Sequence, residues 1–71
     1  PAKLPWPDTA AEQLAALGAF IAREPVTTEA AADAFEGANR KLVERHLETL
    51  ALIGEASVDG AGRYTRVARV G

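Results

Sequence analysis

Two sets of side chains in this 71-residue sequence have the types and spacing to bear on chemistry. One is His46, the single histidine. The other is the cluster Asn39, Arg40, Lys41, Glu44 and Arg45, with Arg63 and Arg66 further along. A histidine working as a general base needs an oriented partner and a nucleophile. Neither stands at a suggestive distance from His46 in the sequence, so it is expected to be a half-buried structural residue. There is no cysteine, which removes thiolate zinc sites, disulfides and Cys nucleophiles together. Gly60-Ala61-Gly62 falls inside an expected hairpin and not between a strand and a helix, so it is not a phosphate loop. The carboxylates do not cluster as calcium or magnesium ligands. Catalytic, cofactor and metal residues are therefore all expected to be absent.

The basic cluster points to nucleic acid. Arg and Asn are the side chains best shaped for bidentate contact with guanine and adenine, and the first residues of a helix-turn-helix recognition helix are the ones that meet base edges. Asn39, Arg40, Lys41 and Arg45 would occupy those positions, with Arg63 and Arg66 bordering a wing and reaching phosphates. Against this stands a plainer arrangement. Glu44 follows Arg40 by four residues and Glu48 follows Arg45 by three, so the cations could be spent in exposed helix pairs worth about 0.2–0.5 kcal/mol each.

These side chains need elements to hold them. Pro1-Ala2-Lys3-Leu4-Pro5-Trp6-Pro7 carries three of the four prolines and reads as an extended arm over residues 1–8. Trp6 either folds back on the core or anchors the module to another domain. Thr9 and Glu12 form a capping box for a first helix over about 9–23, with Ala10, Leu14, Leu17 and Ile21 facing inward. Pro25-Val26-Thr27 is a short extended link, and Thr27 or Thr28 caps a second helix ending near Phe35. Gly37 suits a left-handed closing position, and Glu36-Gly37-Ala38-Asn39 makes a tight turn into a third helix over about 38–53. In that helix Val43, Leu47 and Leu50 form the core line, flanked by Leu42, His46 and Ile53, while Leu52 lies on the outward arc. Residues 55–58 and 63–70 are expected strands of a hairpin around Asp59-Gly60-Ala61-Gly62. The fold class is α+β, mainly α: a winged helix-turn-helix of three helices plus a C-terminal β-hairpin wing, forming one domain over residues 9–71.

Composition bounds what such a domain can be. Of the 48% apolar residues, 16 are alanine and only 18 are large, so the core is thin. The formal charge of −2 divides unevenly. Residues 1–37 carry two cations against six carboxylates, and residues 38–71 carry six against four. No stretch approaches the ~18 apolar residues of a membrane span, and no signal peptide is visible. A cytoplasmic setting, a monomeric isolated domain and no membrane partner are expected. With Pro1 first and no Met, the chain is expected to be excised from a longer protein.

Leu4-Pro5-Trp6-Pro7, Pro25-Val26-Thr27, Phe35-x-Gly37-Ala38 running on to Val43-x-x-x-Leu47-x-x-Leu50-x-x-x-Gly54, and Gly62-Arg63-Tyr64 together resemble the C-terminal region of large bacterial DNA methyltransferases of restriction-modification type. The pattern spans nearly the whole chain. It departs at Glu36, where a basic residue would be usual, and at Ala31, where a larger apolar one would be. The resemblance implies a non-catalytic accessory domain that helps engage duplex DNA weakly or braces the target-recognition region. S-adenosylmethionine would serve the parent enzyme elsewhere, and preceding domains of the same chain would be partners. The alternatives are a protein–protein or dimerisation module using Trp6 and Leu52, and the DNA-binding domain of a transcription regulator. The last would need a dimer interface to match two half-sites, and no obvious dimerisation helix is present.

Overall fold

The computed structural model describes residues 2–68. Its elements run β1 (Leu4–Pro5), α1 (Ala10–Ile21), β2 (Val26–Thr27), α2 (Thr28–Ala34), β3 (Phe35–Glu36), α3 (Arg40–Leu52), β4 (Ala56–Val58) and β5 (Arg63–Arg66). Three helices and a small antiparallel sheet make an α+β domain, in the element order expected from the sequence.

Each helix starts on a side-chain cap. The Thr9 hydroxyl accepts from the Glu12 amide at 3.2 Å and donates to Glu12 Oε1 at 2.9 Å. Thr27 accepts from the Ala30 amide, and Asn39 from the Leu42 amide. Such caps satisfy amides that have no partner within the helix. α3 ends on Gly54 at φ 80°, with the Glu55 amide bonded to the Leu50 carbonyl and the Gly54 amide to that of Ala51. This is the Schellman arrangement, and the left-handed φ favours glycine.

Three features of the strands differ from expectation. The Val26–Thr27 link is a strand: it pairs antiparallel with β5, Val26 opposite Tyr64, giving a three-stranded sheet of order β2-β5-β4. The hairpin thus gains a third strand beside its helix contacts, answering the weakness of an isolated ribbon. The arm is extended as expected, but it is also paired, Leu4 opposite Phe35 in a short parallel ladder with β3. The last strand stops at Arg66, not Val70. The Val67 amide still bonds to the Glu55 carbonyl, in register with the β4–β5 pairing, while Arg69 and Val70 lie outside the described residues.

The core is Leu17, Ile21, Val26, Ala31, Phe35, Val43, Leu47, Leu50 and Ala56. The α3 face is the one expected. On α1, Leu17 and Ile21 are buried and Leu14 packs against the core as expected, whereas Gln13 and Gly18 are buried in addition and Ala10 is exposed. Ile53 is likewise exposed, because as the C-cap it has already left the helical phase of Leu47 and Leu50. No described helix is long and apolar enough to cross a membrane.

Candidate nucleic-acid interface

The basic cluster is presented by the turn between α2 and α3. Gly37 takes φ 74°, but three residues after α2 ends, because Phe35–Glu36 first runs as β3. Asn39 then caps α3 with its Oδ1, accepting from the Leu42 amide at 3.0 Å. That oxygen is held by the cap, so the Asn39 NH2 is the part of the side chain with no bond to the protein among the described residues and free to meet a ligand.

The arginines divide into held and unheld. Arg40 reaches back to α2, its Nη2 lying 2.6 Å from Glu29 Oε2. This hydrogen bond, with the charge behind it, keeps the Glu29 carboxyl below its ordinary range. Arg63 Nε binds Asp59 Oδ2 at 2.9 Å, and Asp59 Oδ1 accepts from the amides of Ala61 and Arg63. Those bonds, led by the Arg63 amide, hold the Asp59 carboxyl low as well. Arg66 Nη2 lies 3.3 Å from Glu55 Oε1, and its guanidinium covers Gly18, where an added methyl would come within 2.8 Å of Nη1. Lys41 and Arg45 are in no ion pair among the described residues. They stand four apart on α3 and, with Asn39 and Leu42, line a concavity of about 310 Å³.

The pairing of α3 cations with α3 carboxylates does not form. Arg40 prefers Glu29 across the turn. The Glu44 charge still reaches Arg40, as the smallest of the influences that raise its pKa, and Glu44 and Glu48 both act on Tyr64, whose hydroxyl is pushed up chiefly by burial and secondarily by those carboxylates. Lys41 and Arg45 therefore share α3 with Glu44 and Glu48 without closing an ion pair to either.

His46 is 7% exposed and structural in its contacts. Gln13 Nε2 donates to the Pro7 carbonyl at 2.8 Å, which leaves Gln13 Oε1 as the acceptor for His46 Nε2–H, also at 2.8 Å. The arm, α1 and α3 are thereby tied through one buried amide. Sequence reasoning missed Gln13, although its spacing from Leu17 and Ile21, at i+4 and i+8, places all three on one face. Trp6 is half-buried, its ring edge-on to Phe35 at 5.4 Å and tilted against His46 at 6.3 Å. Leu52 is 87% exposed, so the hairpin does not cover it, and Ile53 beside it is 62% exposed. Among the described residues no group of three or more His, Asp or Glu is placed to hold a metal ion.

No protein-family profile matches the chain, no curated protein matches its sequence, and no solved structure matches its fold.

Proposed function

We propose that this chain is a winged-helix accessory domain of an S-adenosylmethionine-dependent DNA methyltransferase, engaging duplex DNA weakly in the cytoplasm while other parts of the enzyme perform methyl transfer. The parentage is supported by the motif resemblance from Leu4-Pro5-Trp6-Pro7 to Gly62-Arg63-Tyr64. The DNA reading is carried by one observation: Lys41 and Arg45, both without an ion-pair partner among the described residues, line one concavity at the start of α3. In this reading α3 lies against the major groove, and Lys41 and Arg45 supply the first phosphate contacts. Arg40, Arg63 and Arg66 must first give up Glu29, Asp59 and Glu55.

Two phosphate contacts give a log–log salt slope of about −2, and so a loss of roughly tenfold in affinity between 50 and 200 mM salt. Fluorescence anisotropy of a labelled duplex measures both. Binding at low salt that vanishes in the Lys41→Ala/Arg45→Ala protein supports the reading. No binding at low salt, or binding indifferent to the double substitution, refutes it.

The exposed Leu52–Ile53 corner favours a second reading, an interaction module without DNA contact. Sedimentation velocity separates a self-associating chain of that kind from the monomer expected under the first.

A further inference from the structure

Seven Lys and Arg side chains fall among the described residues, and three of them are in ion pairs. The four others divide between two places. Lys41 and Arg45 line the concavity on α3. Lys3 and Arg23 are the only cations in residues 1–37; Arg23 lines an apolar groove between the arm and α1, and Lys3 lines the concavity that adjoins it.

That groove, about 360 Å³, is walled by Leu4 and Pro5 of β1 with Pro7, and by Ala16, Ala19 and Phe20 of α1. Alanine at 16 and 19 leaves room where larger side chains would have met the arm. Arg23 stands on its lining, and an adjoining concavity of about 430 Å³ shares Leu4, Phe20 and Arg23 and adds Lys3, with Asp33 also on its wall. The groove has no lining residue in common with the α3 concavity.

We propose that this groove docks a short apolar peptide segment of a partner protein that carries one or two carboxylates. The apolar walls recognise aliphatic or aromatic side chains, as in other groove-binding peptides. Lys3 and Arg23 add complementarity of charge, in a half of the chain that is otherwise acidic. Asp33 limits how much negative charge the groove accepts. A sugar–phosphate backbone carries a charge at every step and no aliphatic or aromatic side chain to fill these walls, so this surface and the α3 surface take ligands of different chemistry, and either can fail without the other.

The test is a titration of the 15N-labelled chain, followed by amide shifts, with two acetylated and amidated peptides, LELAELL and LKLAKLL. The glutamate peptide is expected to move Ala19, Phe20 and Arg23, and to bind about fivefold tighter than the lysine peptide, the scale that two exposed ion pairs supply. Lys3→Glu/Arg23→Glu, both exposed positions, is expected to reverse that preference. Ala19→Trp, also exposed, is expected to fill the groove and abolish the shifts while leaving the DNA response of Lys41 and Arg45 intact. The proposal is overturned if neither peptide moves groove residues, or if both bind alike. It is equally overturned if the groove resonances shift with protein concentration alone, which would make the occupant a second copy of the chain.

Discussion

Replacing Gln13 by Leu tests whether the buried amide joins the arm to the helices. The substitution keeps an apolar side chain of similar bulk but removes both hydrogen bonds, to the Pro7 carbonyl and from His46. His46 is 7% exposed, so its Nε2–H is stranded, at a cost of about 1–3 kcal/mol. The half-buried Pro7 carbonyl can turn to water and adds at most about 1 kcal/mol. The added apolar burial of leucine returns part of this, leaving a net loss of about 2 kcal/mol. A domain of this size has a total stability of about 4–10 kcal/mol, so the melting temperature should fall by about 8–16 °C. Removing both partners in Gln13→Leu/His46→Leu leaves no stranded donor. The double variant should therefore lose at least about 1 kcal/mol less than the two single losses added together. Thermal and urea unfolding followed by circular dichroism at pH 7.5, where the imidazole is neutral, measures all four proteins. A Gln13→Leu loss below about 0.5 kcal/mol, or strictly additive losses, refutes the reasoning.

Burial, and secondarily the charge of Arg45, lowers the His46 pKa below its ordinary 6.5. The unfolded chain then binds the proton more readily, so this contribution is complete above about pH 6.5 and is lost as pH falls through the folded value. A melting temperature that drops between pH 7.5 and 5.5, with the drop reduced in Gln13→Leu/His46→Leu, is the expected result. Gly54→Ala places a Cβ at φ 80° in the cap of α3 and should cost about 1–2 kcal/mol, read as a lower urea midpoint with an unchanged slope. Glu29→Gln releases Arg40 without touching α3, so duplex affinity at low salt should rise and the salt slope steepen by about 1; an unchanged slope counts against a DNA-facing Arg40. Leu52→Lys should leave unfolding within about 0.5 kcal/mol of the parent, because the side chain is 87% exposed; a larger loss would show that the chain normally covers it.

Local signals made the helices legible. Thr9 and Thr27 are caps by residue type, and Val43, Leu47 and Leu50 repeat at helical spacing, whereas Asn39, expected inside a helix beginning near residue 38, is the cap of α3. Pairings between distant residues were not legible. Nothing local in Val26-Thr27 announces Tyr64 as its neighbour, and nothing in Leu4-Pro5 announces Phe35. Gln13 was left off the inward face of α1 because a glutamine counts against burial until its two partners are known, and both come from other elements. At the basic cluster the residue types were readable but their occupancy was not. Arg40 was matched with Glu44 by sequence spacing, whereas the fold brings Glu29 to it from eleven residues upstream. Ion pairs that cross a turn have no periodicity to betray them.

The order β2-β5-β4 has a consequence for how the chain is completed. The middle strand of the sheet is the last of its three to be synthesised, and β2 and β4 do not pair with each other. A nascent chain ending before Arg63 therefore holds two strands with nothing to pair them, however well its helices have formed. Closing the sheet joins Val26 to Tyr64 across the whole of α2 and α3, a late and non-local step. Truncation from the C-terminal side should thus dissolve the entire three-stranded sheet at once instead of trimming its edge.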